Sequence, residues 1–152
     1  MTKGIVQLAL RTLFNATPSV AQTIPFDTIA VPSSSSHLVA TVGSNCNVTV
    51  DFEGFVRASM YVLSNAGTAG SQQAIGFKLS YLTQALLPII GFSDYMFYGG
   101  QLQANSISQV LRVHPGTIIS PVFYTGSAGA GIYDELGAYG RKSLERFTVE
   151  LL

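Results

Sequence analysis

The feature that most constrains this chain is a strict period-two alternation in its middle. From Gly54 to Leu63, Val56, Ala58, Met60 and Val62 share one parity, while Phe55, Arg57, Ser59 and Tyr61 share the other. Successive side chains of an extended strand point to opposite faces, so this pattern describes a strand with one buried and one open face. A helix would scatter the same residues around its axis. The open face carries the arginine and the serine, which places it toward solvent or a partner.

The alternation recurs. Val48, Val50 and Phe52 alternate with Asn47, Thr49 and Asp51, and Ile75, Phe77, Leu79 and Tyr81 alternate with Gly76, Lys78 and Ser80 within Ala74–Leu82. Phe147, Val149 and Leu151 oppose Thr148 and Glu150 at the end of the chain. A further strand is expected over Thr117–Tyr124, after His114-Pro115-Gly116, where Pro followed by Gly suits a type II turn. Turn-rich links separate these runs at Val31–Ser36, Ser64–Ser71 and Gly126–Lys142. The last contains Ile132, Tyr133, Leu136 and Tyr139, so part of it is expected to pack. Short alternating strands punctuated by turns indicate an all-β antiparallel sandwich or jelly roll. Ile5–Phe14 alternates poorly; its spacing admits a short helix, but it is read in preference as an arm or an edge strand, giving one domain over residues 1–152 with 1–25 as arm or edge.

Charge sets the second constraint. Only 11% of the 152 residues are charged, eight basic against eight acidic, where an average soluble domain has about 25%. Mean hydropathy is +0.36. Either a membrane or other protein chains must cover such a surface. No run of 18 or more apolar residues exists, and Ala85–Phe92 is broken by Pro88 and Gly91. Gln7, Arg11 and Thr12 interrupt the N-terminal apolar stretch, which therefore does not read as a secretion signal. The balanced, scattered charge provides no basic patch for nucleic acid. Burial by partner chains, including copies of itself, is the expectation that remains.

Motifs for chemistry are sparse. Cys46 is the single cysteine, read as a small apolar strand residue, and neither His37 nor His114 sits in a recognisable catalytic motif. One Cys and two His do not make a zinc site, and Asp134-Glu135 is an isolated acidic pair. Asp51, Glu53 and Asp94 are candidate glycosidase carboxylates by residue type alone. Ser127–Gly131 has glycines without a phosphate-loop lysine, and Asn47-Val48-Thr49 reads as a strand that coincides with a glycosylation acceptor. No catalytic, metal or cofactor site is expected. Lys78, Arg57 and Arg112 are expected on solvated faces. In Phe92, Tyr95, Met96, Phe97 and Tyr98, Tyr95 and Phe97 would share one face of a strand and Met96 and Tyr98 the other. A strand apolar on both faces can be covered by the core and by a neighbouring subunit. Tyr95, Phe97, Tyr98, Tyr133 and Tyr139 are therefore candidate interface residues, and Tyr133, Asp134 and Tyr139 could alternatively supply a saccharide site.

The run Gly54-Phe55-Val56-Arg57-Ala58-Ser59-Met60-Tyr61-Val62 resembles a core strand of the trimeric jelly rolls typified by tumour necrosis factor and the complement globular heads. His114-Pro115-Gly116-Thr117-Ile118-Ile119 resembles their late turn and strand, and Ser143–Leu151 their final strand. The order Leu13-Phe14-Asn15, Ile24–Ile29 and Gly43–Val48 is similar to small jelly-roll proteins of tailed-phage structural regions. This resemblance implies a homotrimer with a structural role in a virion. It implies a decoration or cement protein that binds major capsid protein on the outer surface of the shell and stabilises it, or alternatively a receptor-binding module of a tail fibre or baseplate. It implies no catalysis and no cofactor. The stretch Thr125–Lys142 is longer than the hairpin expected before the last strand, so no binding residue is carried over there.

Overall fold

In the computed structural model, the described residues are 4–65, 71–80, 89–97, 102–126, 129–133 and 145–152, with the backbone alone at 71, 72, 89–97, 102 and 103. They form strands throughout: β1 (Ile5–Ala9), β2 (Phe14–Asn15), β3 (Gln22–Thr23), β4 (Thr28–Val31), β5 (Leu38–Thr41), β6 (Asn47–Val50), β7 (Gly54–Asn65), β8 (Ser71–Ser80), β9 (Ile89–Phe97), β10 (Leu102–Val113), β11 (Thr117–Thr125), β12 (Gly131–Ile132) and β13 (Arg146–Leu151).

Two antiparallel sheets result. The first runs β2-β12-β7-β13-β1-β4, with β10 also paired to β7; the second runs β5-β6-β11-β8-β9, with β3 on β11. The chain crosses between sheets at β2–β3, β3–β4, β4–β5, β6–β7, β7–β8, β9–β10, β10–β11 and β11–β12. This repeated crossing wraps the strands around one core and produces the expected jelly-roll sandwich.

The alternations carry the packing. Val56, Ala58, Met60 and Val62 of β7 are buried, with Phe147 and Val149 of β13 and Val6 and Leu8 of β1 beside them. Val48 and Val50 of β6, Ile75 and Phe77 of β8, and Ile119 and Phe123 of β11 come from the facing sheet. Phe147 joins the layers, its ring centroid 5.9 Å from both Phe26 and Phe77. Cys46 lies in this core, but just before β6 and not within a strand as expected. Tyr81 and Leu82 of the expected Ala74–Leu82 strand fall outside the described residues.

The N-terminal segment differs from expectation. β1 is neither an arm nor an edge: it pairs with β13 along Ile5–Ala9 and with β4 on its other side. Val6 and Leu8 are buried while Ile5 and Gln7 are half-buried, so the segment does alternate over Ile5–Leu8. The reading failed because Ala9, the last residue of the strand, and Leu10 after it are buried too and blur the alternation. The four-residue β4 takes the end position instead.

The His114-Pro115-Gly116-Thr117 turn is as expected. Gly116 has φ +93° and the Thr117 amide donates to the His114 carbonyl at 3.0 Å. Within β11, Pro121 contributes no N–H, and it stands where the neighbouring strand changes from β6, at Thr117–Ile119, to β3, at Val122–Phe123. A proline is tolerated in an interior strand where the ladder is interrupted in this way.

Candidate functional site

The outer face of the first sheet is an organised surface. Register places Gln7 opposite Thr148, Thr148 opposite Ser59, and Ser59 opposite Ser108, a row crossing β1, β13, β7 and β10. Side-chain hydrogen bonds tie the row at its two ends. Gln7 Nε2 donates to Thr148 Oγ1 at 3.0 Å, and the Ser59 and Ser108 hydroxyls lie 3.1 Å apart. On one side lies the row Ile5, Glu150, Arg57 and Val110; on the other, Arg146, Tyr61 and Ser106.

Two arginines on this face are held by hydrogen bonds, one of them to a carboxylate. Arg57 Nη1 donates to Glu150 Oε1 at 2.9 Å across β7 and β13, and Arg146 Nη1 donates to the Glu145 carbonyl at 2.8 Å. Apolar surface remains open: Val110 is 55% exposed, Phe55 52% and Tyr61 38%. A shallow groove of about 270 Å³ follows β7 between Ser106, Ser108, Arg146 and Thr148. A hydroxyl-lined sheet face with exposed apolar side chains and an ion pair across its strands suits contact with another protein surface.

A second feature lies farther along β7 on the same face. Asn15, Gly131 and Asn65 are directly in register across β2, β12 and β7. They line a cavity of about 130 Å³ together with Leu13, Gly129 and Tyr133.

The sequence-derived candidates are spread over both sheets. Tyr95 and Phe97 lie on β9, the last strand of the second sheet, opposite Gln73 and Ser71 of β8. Tyr133 follows β12 in the first sheet and is half-buried against the cavity. Tyr98, Tyr139 and Asp134 lie outside the described residues. Asn15, Asn65 and the Gln7–Ser108 row were missed, because only register unites residues so distant in sequence.

The titratable candidates are also separated. His114 Nδ1 lies 2.6 Å from Glu53 Oε2, with Arg112 Nη2 3.7 Å from Oε1, all on an exposed rim. His37 Nδ1 donates to the Asp51 carbonyl at 2.7 Å. Asp94 lies on β9, paired with Ala74. Burial, aided by the nearby Asp27 carboxylate, pushes the Cys46 thiol up to about 12, against a partial offset from a backbone hydrogen bond at Phe26. The thiolate needed for nucleophilic attack is therefore scarce at neutral pH. Among the described residues no group of three or more His, Cys, Asp or Glu could hold a metal ion.

Architecture is what links this chain to known proteins. A crystal structure of murine APRIL at pH 5.0 aligns with 99% of this chain and 100% of its own, at TM-score 0.62 and 13% identity. Two further structures of murine APRIL, at pH 8.0 and pH 8.5, align over the same shares with TM-scores 0.62 and 0.65 and identities of 14% and 12%. The fold is a tumour-necrosis-factor-type jelly roll. No family model and no curated protein matches the sequence. The jelly roll thus rests on shape, and function must be argued from its surfaces.

Proposed function

We propose that this jelly roll is a non-catalytic structural protein that assembles with copies of itself as a homotrimer and decorates the outer face of a virus shell. The observation that carries the reading is the outer face of the first sheet, where the Gln7–Thr148–Ser59–Ser108 row, the Arg57–Glu150 pair and the exposed Val110, Phe55 and Tyr61 form a broad surface. The 11% charged composition supports it, since a chain so poor in charge gains from having surface covered. So do Ile29 and Val31 on β4 and Val39 on β5, exposed on the end strands of the two sheets.

The mechanism is mechanical. A protein that binds only the assembled shell lowers the free energy of that state by mass action. Two measurements test this. Light scattering is expected to give three times the chain mass. Purified shells of the source virus are expected to bind the protein and to gain heat stability. A monomer, or shells that neither bind nor gain, would sink the reading. A receptor-binding role is the second reading, favoured by the cavity beside Tyr133.

A further inference from the structure

We draw no further inference here: the strongest candidate, the surface patch on the end strands β4 and β5 where Ile29, Val31 and Val39 are exposed, carries nothing because nothing in the structure shows what covers it.

Discussion

Phe147 of β13 and Phe77 of β8 stack across the interior of the sandwich, with centroids 5.9 Å apart and planes 29° from parallel. The contact joins the two sheets directly, and Phe26 packs on the same Phe147 ring at 5.9 Å. Truncating Phe147 removes both contacts and leaves a hole that strands on two sides can close only by shifting. Phe147→Ala is expected to cost about 3–5 kcal/mol, read from the urea midpoint. Phe147→Leu should cost distinctly less, because it retains much of the volume. Equal losses would mean that the ring is not the fastening between the sheets.

Cys46 gives a prediction in pH. Its thiol is held up at about 12 by burial, from an ordinary 9.0. The unfolded chain therefore loses this proton at lower pH than the folded chain does. The contribution to stability is whole below about pH 9 and drains away as pH rises toward about 12. At pH 8 a thiol reagent should label the native protein only as fast as the protein opens, and denaturant should release one reactive thiol per chain. In alkaline melts Cys46→Val should lose less stability than wild type over that window. Immediate labelling of the native protein would contradict the burial.

Much of this architecture was legible because burial follows parity. In Gly54–Leu63 and Phe147–Leu151 every inward position is apolar and every strand is long enough for the pattern to show. β10 escaped notice for the opposite reason: Asn105 and Gln109 share their parity with Ile107, Leu111 and Val113, so polar residues interrupt the apolar face. β2, β3 and β12 have two residues each, too short for any period. The candidate surfaces were the least legible part. Gln7 and Thr148 are 141 residues apart, yet hydrogen-bonded. Asn15 and Asn65 come into one line only through Gly131, where the Phe14 carbonyl leaves no room for a Cβ. Of the aromatic residues, Tyr133 was singled out by type and does line the cavity.

The turn before β11 can be tested by one methyl group. Gly116 holds φ +93°, a region costly for residues with a Cβ, and its amide donates to the Val50 carbonyl at 2.9 Å. Gly116→Ala is expected to destabilise the fold by about 1 kcal/mol, read as a lower thermal midpoint. The oligomeric state should not change, since the turn lies off the hydroxyl row. A neutral or stabilising result would show that the turn relaxes to accept alanine.

The hydroxyl row allows assembly to be separated from folding. Ser59 sits at the centre of the first sheet's outer face, with Thr148 and Ser108 opposite it on either side. A long charged side chain there projects outward, so the monomer should tolerate it within about 0.5 kcal/mol. In an interface the same charge would be desolvated without a partner, which costs several kcal/mol. Ser59→Arg is therefore expected to give a monomer by light scattering, with chemical stability unchanged in a dilute sample where wild type is also dissociated. Asn45→Arg, in the exposed turn before β6, serves as the matched control and should assemble like wild type. The Arg57–Glu150 pair gives an independent measure. It is 44% and 35% exposed in the free chain, so Glu150→Gln should cost the isolated chain about 0–1 kcal/mol. If this face is covered on assembly, the same change leaves Arg57 buried without its carboxylate and weakens association far more than folding. Equal, small effects on both would show that the face stays open to water.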